Sequence, residues 1–345
     1  MKILFGIQGT GNGHMGRSFA LIQELQRFAS VDVLISGNDC ELTAPIDIAF
    51  RYNGMGFVFG NKGGIHIPKT WKQWNFKQLK RDIASIPIRQ YDAVVSDFEP
   101  LSLFSAARAG IPTLGISNQY AYFHPNFQRG RYFDPIGAAV LQHYAPAEQR
   151  LAYFYEAFAP EVTTPYISSA LRQLPVDDEG FILVYLPACH HSYVESVTRL
   201  FPFHRWKVFS KRLKHPYETH NASFFPVEAA TFQQALTRCS GLVCAAGFGT
   251  TSEALHLGKK MLVIPMKAQL EQQFNARWLA GKGVSVLPEF HADKARQIRF
   301  WLDEGKALRM AFPEVTANLA VEISGRLEKG SAAPVYPHQN PVFPG

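Results

Sequence analysis

Short apolar segments alternate with amphipathic helical segments along almost the whole chain, and this alternation limits the possible folds more than any other feature. The segments KILFGI, VDVLISG, YDAVVSDF and IPTLGISN read as buried strands in the first half, and FILVYLPA, RWKVFS, GLVCAAG and KMLVIP in the second. Repeated strand–helix units predict parallel sheets with helices on their faces and ligands at the carboxyl ends of the strands. The predicted fold class is therefore α/β and doubly wound.

The chain has 345 residues, a length typical of about two domains. A polar segment, LRQLPVDDEG, interrupts the pattern, and the strand–helix alternation restarts after it. We therefore predict a Rossmann-like domain over 1–170, a second one over 180–310, a helix over 311–330 that crosses back to the first domain, and an extended, proline-rich tail over 331–345.

With 47% hydrophobic and 18% charged residues, the composition is that of a globular, soluble protein. The start shows no signal-peptide pattern and no apolar run is long enough to span a bilayer, so a cytoplasmic protein is expected. The four cysteines are scattered and Asp177-Asp178 lies in the predicted linker, so neither a disulfide framework nor a metal site is expected.

The net charge of +7 is concentrated in two basic runs, Lys62–Arg89 and Arg199–Lys214. Such runs attract anions, including phosphorylated substrates and anionic lipid headgroups, although either run is equally compatible with a solvated face. Trp71 and Trp74 lie among the lysines of the first run, which favours peripheral contact with the inner face of a membrane. No nucleic-acid recognition motif accompanies the charge, so no nucleic-acid partner is expected.

A glycine-rich stretch, GTGNGHMGR, follows the first strand and allows two interpretations. The spacing Gly11-x-Gly13-x-x-Gly16 fits a dinucleotide-binding fingerprint, and Asp39 after the second strand would then bind a ribose. The same stretch holds His14, and a histidine in this turn suits a catalytic base that works near neutral pH.

A second glycine-rich stretch follows the strand GLVCAAG in the second half. It begins a helix, and its candidate binding residues are Gly247, Phe248, Gly249, Thr250, Thr251, Ser252 and Glu253. Backbone N–H groups at a helix start bind phosphate, and Glu253 can accept hydrogen bonds from ribose hydroxyls. The alternative is that Thr/Ser-x-x-Glu only caps the helix.

This second stretch and its continuation resemble the donor-binding segment of GT-B glycosyltransferases, close to the MurG-like family and the UDP-glycosyltransferases. The matching residues are Pro265, Glu271-Gln272 and Asn275-Ala276. The resemblance implies two Rossmann-like domains that face each other across a cleft. It also implies that Glu271 and Gln272 touch the donor sugar and that Phe225 lies beside the uracil.

The resemblance carries further roles onto the first half. The family's G-x-G-H loop matches Gly11, Gly13 and His14, which makes His14 the base, and Asp97 matches its partner acid, with Glu99 as the reserve. PACHHSY stands where MurG-like enzymes have a glycine–serine loop. His190 and His191 there either bond the diphosphate or cap the next helix.

Together these features predict an inverting glycosyltransferase that uses a nucleotide-sugar, UDP-sugar in the first instance, and needs neither a metal nor a cofactor. The expected hydroxyl acceptor is a glycolipid or a cell-envelope glycan. The basic runs favour an acceptor that is anionic and lipid-linked. The alternatives left open are a UDP-sugar 2-epimerase-like isomerase, a non-catalytic nucleotide-sugar binder and, from the first glycine-rich stretch, a nicotinamide enzyme.

Overall fold

A computed structural model describes residues 1–9, 12–37, 46–54, 75–127, 135–267 and 269–329. Four features predicted from the sequence lie outside these residues: Gly11, Asp39, the part of the Lys62–Arg89 run before residue 75, and the tail 331–345. Spatial contacts divide the chain into two compact units. Among the described residues, unit 1 lies within 1–168 and 313–329, and unit 2 lies within 169–312.

Unit 1 is built on a parallel sheet in the order β3-β2-β1-β4-β5-β6-β7. Its strands are β1 Lys2–Gln8, β2 Ser30–Ser36, β3 Phe50–Tyr52, β4 Ala93–Asp97, β5 Thr113–Ile116, β6 Gln149–Tyr153 and β7 Val162–Thr163. Its helices are α1 Asn12–Leu25, α2 Phe76–Ser85, α3 Pro100–Ala109, α4 Asn118–Ala121, α5 Pro135–Tyr144 and the C-terminal α12 Thr316–Glu328. The central strands are buried on both faces, which is why they read as unbroken apolar runs.

Unit 2 contains a second sheet in the order β10-β11-β9-β8-β12-β13-β14, parallel except for the β10–β11 pair. Its strands are β8 Phe181–Tyr185, β9 Arg205–Ser210, β10 Tyr217–Glu218, β11 Ala222–Pro226, β12 Gly241–Cys244, β13 Lys260–Val263 and β14 Ser285–Val286. Its helices are α6 Ser169–Gln173, α7 His191–Thr198, α8 Ala229–Arg238, α9 Phe248–Leu257, α10 Leu270–Gly281 and α11 Ala295–Glu304. The α/β fold predicted from the strand–helix alternation is confirmed.

Three details differ from the sequence-based expectation. Helix α1 begins at Asn12, so that Gly13 and His14 lie in its first turn rather than in a loop. Strand β6 lies in the aromatic segment over 120–160, for which no strand is predicted above. The predicted linker begins with α6. Among the described helices, none combines the length and the apolar composition that crossing a bilayer requires.

Close packing of α3 against β1 holds the turn that follows β4. A Cβ atom placed on Gly6 of β1 would lie 2.8 Å from Glu99 Oε2 and would also collide with Ser102 Oγ. Glu99 is the N-cap of α3, and its carboxylate accepts hydrogen bonds from the N–H groups of Leu101, at 2.7 Å, and Ser102, at 2.8 Å. Glycine at position 6 therefore lets a buried cap sit directly against the strand.

We expect Gly6→Ala to reduce the free energy of unfolding by about 1–3 kcal/mol, because the added methyl group overpacks a site with no free volume. Gly281→Ala is the matched control, since a Cβ at Gly281 would meet no heavy atom within 4 Å. Urea denaturation of the two variants beside the wild type measures the difference. Equal stability of Gly6→Ala and wild type would contradict the packing argument.

Candidate functional site

His14 and Asp97 meet at the carboxyl edge of the unit 1 sheet. Asp97 is the last residue of β4 and lies level with Ile7 near the end of β1, and the chain turns from β1 into α1, which carries His14. His14 Nδ1 lies 2.8 Å from Asp97 Oδ1. The side chain of His14 is 15% exposed and that of Asp97 is 2% exposed. The imidazole can therefore be reached from solvent, whereas the carboxylate acts only through its neighbours.

Two residues that the sequence analysis did not select complete the surroundings of Asp97. Arg17, one helical turn after His14, donates from Nε to Oδ2 at 2.7 Å and from Nη2 to Oδ1 at 2.6 Å. Ser18 Oγ donates to Oδ2 at 2.9 Å. With His14, these contacts occupy about four acceptor positions, the full capacity of a carboxylate. The signal that could have found Arg17 is its i, i+3 spacing from His14 on a helix.

The charge state of Asp97 follows from these contacts. Burial by itself raises the pKa of the Asp97 carboxyl, but the adjacent Arg17 guanidinium and His14 outweigh it, so that the net pKa lies well below the ordinary range of an aspartate. Asp97 is consequently an ionised acceptor at physiological pH. Its carboxylate fixes side chains and does not exchange protons.

The protonation of His14 can be assigned from the groups that face its Nδ1. Besides Asp97 Oδ1, Arg17 Nη2 lies 2.7 Å from His14 Nδ1. A guanidinium carries donors only and an ionised carboxylate carries acceptors only. Because Arg17 Nη2 already donates to Asp97 Oδ1, we assign the ring proton to Nδ1, where it is donated to Asp97. The lone pair then resides on Nε2, the nitrogen that can accept a proton.

The backbone beside Asp97 is held in a conformation that side chains usually avoid. Phe98 has φ of 57°, in the left-handed region, and is the one non-glycine residue with positive φ found in the described part of the chain. Its ring stacks on Tyr144 at 5.2 Å between centroids and meets Tyr120 edge-on at 5.9 Å. Aromatic packing thus compensates a strained turn at the point where the chain presents Asp97, a combination often found at functional sites.

Glu99, the reserve partner acid, does not fill that role. Its side chain is completely buried as the cap of α3 and also accepts a hydrogen bond from Ser36 Oγ at 2.7 Å. Burial raises the pKa of Glu99, against the opposing effect of its hydrogen bonds from Ser102 and Ser36. The reserve interpretation is wrong, because this carboxyl group is used to anchor the helix start.

In unit 2, helix α9 begins with an open N-terminus. Gly247 is its N-cap and has no side-chain cap, and a Cβ atom on Gly247 or Gly249 would meet nothing within 4 Å. Neither glycine has a positive φ, so the backbone conformation does not require glycine at these positions. The first-turn N–H groups of Gly249 and Thr250 have no partner within the helix itself. This arrangement suits an anion that approaches the backbone closely.

The side chains just beyond this N-terminus are used inside the protein. Thr251 Oγ1 donates to the Gly247 carbonyl at 2.8 Å, and Ser252 Oγ donates to the Phe248 carbonyl at 2.7 Å. Both hydroxyl residues are buried, as is the Phe248 ring. Ligand binding through the Thr251, Ser252 and Phe248 side chains is therefore not supported, since these groups pack into the unit. The capping-box alternative also fails, because the N-cap is a glycine.

Glu253 lies in the second turn of α9 and is an acid without a partner. Within the described residues, its carboxyl group makes no hydrogen bond and no ion pair, although it is largely enclosed by protein. Burial raises the pKa of Glu253 to about 7. A partly buried acceptor of this kind is satisfied by hydroxyl donors from a ligand.

Helix α10 is tied to the ends of β12 and β13 through Gln272. Its Oε1 accepts from the N–H of Ala246 at 3.1 Å and from the N–H of Met266 at 2.9 Å, which fixes the amide with its Nε2 donors directed away from those two groups. Asn275 Nδ2 donates to the Ala246 carbonyl at 2.9 Å. Glu271 lies beside Gln272 in the first turn of α10.

The His190-His191 pair lies at the start of α7. His190 is the N-cap, and its Nδ1 accepts from the Ser192 N–H at 3.3 Å and bonds Ser192 Oγ at 2.7 Å. Capping, one of the two alternatives, is thus observed for His190 Nδ1. His191 Nδ1 is buried with no partner among the described residues. Burial, followed by the effects of His190 and Arg212, lowers the pKa of His191, so this ring is neutral near pH 7.

The helices that carry these unit 2 residues start at one edge of the sheet. Strands β8, β12 and β13 are parallel neighbours, with Tyr185, Cys244 and Val263 in register, and they lead into α7, α9 and α10. At the same edge, Phe225 of β11 stacks on Phe209 at 5.4 Å. The predicted donor-side positions are therefore gathered along this carboxyl edge, where open α/β sheets bind ligands.

The comparisons with known proteins agree with this architecture. A family profile described as "Glycosyl transferase family 1" matches residues 1–302. A search of curated protein sequences gave no match. Among solved structures, spinosyn rhamnosyltransferase SpnG, complexed with thymidine diphosphate, is 16% identical with a TM-score of 0.55, and the alignment covers 95% of this chain and 96% of that chain.

Two further structures show the same fold. MurG from Acinetobacter baumannii is 15% identical with a TM-score of 0.53, covering 95% of this chain and 100% of that one. Phytolacca americana UGT2, complexed with UDP-2fluoro-glucose and pterostilbene, is 14% identical with a TM-score of 0.55, covering 95% and 93%. Since the family profile spans most of the sequence, this chain belongs to glycosyl transferase family 1 and is a glycosyltransferase with the GT-B fold.

Proposed function

We propose that this glycosyltransferase moves a sugar, with inversion at the anomeric carbon, from a UDP-sugar to the hydroxyl group of an acceptor. The observation that carries the proposal is the His14–Asp97 pair, because the ionised carboxylate accepts the Nδ1 proton and leaves Nε2 as a base. A positioned histidine base contributes about 10²–10⁴-fold to such a proton transfer. His14 is the catalytic residue of the proposal, and Asp97 and Arg17 position it.

In the proposed step, the acceptor oxygen forms a bond to the anomeric carbon while the bond from that carbon to the diphosphate oxygen breaks. The bonding electron pair leaves with UDP, and the acceptor proton passes to His14 Nε2. Asp97, whose Oδ1 lies 2.8 Å from His14 Nδ1, stabilises the imidazolium that results. The charge developing on the leaving diphosphate is matched by the open N-terminus of α9, so we propose that no metal ion is needed.

For the donor, we propose that the diphosphate binds the first-turn N–H groups of α9 and that the ribose hydroxyls bind Glu253. Phe225 is placed beside the uracil, and Gln272 Nε2 and Glu271 beside the sugar. The unpaired carboxyl of Glu253 and the fixed amide of Gln272 support these roles. His190 Nε2 and His191 are the remaining candidates for contact with the diphosphate, since only His190 Nδ1 is used in capping.

For the acceptor, we propose a lipid-linked or cell-envelope glycan. The net charge of +7 favours an anionic substrate of this kind.

The proposal predicts that UDP raises the melting temperature of the protein more than GDP, dTDP or NAD does in a thermal-shift screen. His14→Ala should keep the UDP affinity of the wild type and lose about 10²–10⁴-fold in UDP release from a UDP-sugar, because only the base is removed. Unchanged UDP release by His14→Ala would contradict the assigned base. An epimeric sugar nucleotide as product would contradict transfer altogether.

Arg17 should reveal its positioning role through the pH–rate profile. In Arg17→Gln, a positive charge that contacts His14 Nδ1 at 2.7 Å is lost, so the acidic limb of kcat/KM should move to higher pH. We also expect kcat to fall at least tenfold while the affinity for UDP stays the same, since Asp97 loses two of its hydrogen bonds. Arg17→Lys keeps the charge and should keep the wild-type acidic limb; an identical profile for all three proteins would refute the role.

Glu253 should make UDP affinity depend on pH. With a pKa of about 7, this carboxyl group ionises between pH 6 and 8, and the ionised form is the better acceptor for ribose hydroxyls. UDP affinity, measured by calorimetry, should therefore rise by about tenfold over this range in the wild type. Glu253→Gln is the matched control, because UDP itself titrates equally in both experiments. This variant should bind UDP more weakly than the wild type at pH 8 and should not show the rise in affinity that ionisation of Glu253 causes.

Stability gives an independent check on Glu253. Because its folded-state pKa is raised above the ordinary value, the folded protein loses stability as pH rises from about 4.5 through about 7. Glu253→Gln should thus increase the melting temperature at pH 8 and leave it nearly unchanged at pH 4.5. A stabilisation that is equal at both pH values would contradict a buried, unpaired carboxyl group.

A further inference from the structure

The loop that joins α7 to β9 exposes an apolar tip, formed by Leu200, Pro202 and Phe203. Phe203 is 95% exposed and Leu200 is 41% exposed. Phe203 is the most exposed of the large hydrophobic side chains in the described part of the chain. A single exposed apolar residue needs no explanation, but three within one short loop form a surface that water solvates poorly.

The tip is held rigidly by the residue at its centre. Phe201 is 1% exposed and lies in the core of unit 2, with its ring 6.1 Å from that of Trp206. Asn221 fixes the same loop by donating from Nδ2 to the carbonyls of Thr198 and Phe201, each at 3.0 Å. The outward position of Phe203 is consequently set by buried neighbours on both sides of it in the chain.

Arginines surround the apolar tip. Arg199 and Arg205 flank it in sequence, and the guanidinium of Arg299 on α11 lies over the Phe201 ring at 5.5 Å. Arg199 forms an ion pair with Glu195 at 2.6 Å. Neither Arg205 nor Arg299 has a carboxylate within 4 Å among the described residues. Arg205 Nη2 donates to the Glu179 carbonyl and Arg299 lies over the Phe201 ring, but neither charge is neutralised by a carboxylate of the described residues, so both can attract an anionic partner.

Helix α11 extends the same surface. Arg299 of α11 lies over the Phe201 ring at 5.5 Å, and Tyr193 of α7 stacks on His291, which lies just before α11, at 6.0 Å. With Ile298, Trp301 and Leu302 facing the core, Arg296 and Phe300 face outward, and Phe300 is 67% exposed. The last two residues of α11, Asp303 and Glu304, are acidic and exposed.

We propose that this surface, formed by the apolar tip together with Arg296, Arg299 and Phe300, docks unit 2 onto an anionic membrane. Exposed Phe and Leu side chains insert at the headgroup boundary, and neighbouring arginines bind anionic headgroups. Helix α7 starts at the carboxyl edge of the sheet and ends at this surface, so the docking surface lies at the edge opposite the proposed donor site. Membrane contact here would leave that site open to the aqueous side.

Vesicle sedimentation with the full-length protein tests the proposal. The wild type should bind vesicles of phosphatidylcholine with phosphatidylglycerol, bind pure phosphatidylcholine far more weakly, and be released by high salt. Phe203→Ser/Phe300→Ser should bind the anionic vesicles about tenfold more weakly, because two exposed apolar anchors are removed. Arg205→Gln/Arg299→Gln should likewise bind more weakly, with a smaller dependence on salt.

Phe76→Ser is the matched control, because Phe76 is 47% exposed but belongs to the other basic run, Lys62–Arg89. This variant should bind anionic vesicles as well as the wild type does. Loss of vesicle binding in Phe76→Ser but not in Phe203→Ser/Phe300→Ser would overturn the proposal. Failure of the wild type to bind anionic vesicles would also overturn it. A third contrary outcome is a wild-type dimer in sedimentation velocity that Phe203→Ser dissociates, with no vesicle binding by either protein. All these readouts are independent of nucleotide binding, and thermal shifts with UDP should be the same in every variant, so failure of the proposed function is seen separately.

Discussion

The buried ion pair between Asp97 and Arg17 is the interaction on which the candidate site of unit 1 depends. A carboxylate that is 2% exposed is stable only if its charge and its acceptor positions are matched, and Arg17 matches both with a two-point contact. The consequence for His14 is geometric, because its Nδ1 proton has an ionised acceptor and Nε2 is left as the basic nitrogen. Removal of Arg17 would leave the buried Asp97 carboxylate with its contacts to His14 and Ser18 but without its charged partner.

The backbone around Asp97 is adapted to this pair at several levels. Gly6 admits the cap of α3 against β1, Glu99 ties the helix start, and the strained Phe98 between strand and cap is stabilised by its contacts with Tyr144 and Tyr120. In unit 2, by contrast, the start of α9 has no side-chain cap and is left open. There the hydroxyls of the first turns are turned inward and the glycines leave the backbone N–H groups accessible.

Much of the architecture could be predicted because its signals are local. The apolar runs of β1, β4, β8 and β12 follow from burial on both faces of a parallel sheet, and the glycine-rich starts of α1 and α9 mark the strand–helix turns. Strands β6 and β7 could not be read from an aromatic segment, because aromatic residues suit strands and buried helices alike. No local pattern in the sequence shows that the guanidinium of Arg17 contacts Asp97, a strand residue 80 positions away.

The pairing of His14 with an acid after β4 was implied by the resemblance to GT-B glycosyltransferases. The two-sheet α/β fold and the location of both glycine-rich helix starts needed only the amino-acid sequence. These depend on periodicity and on the order of strands, which the chain carries locally. Packing of the folded chain separates the roles of Asp97 and Glu99, brings Arg17 to the carboxylate and turns Thr251 and Ser252 inward. Among the described residues, it leaves Glu253 without a hydrogen-bond or ion-pair partner. Those outcomes depend on which polar atoms meet after packing, because a buried acceptor is defined by distant donors and not by its neighbours in sequence.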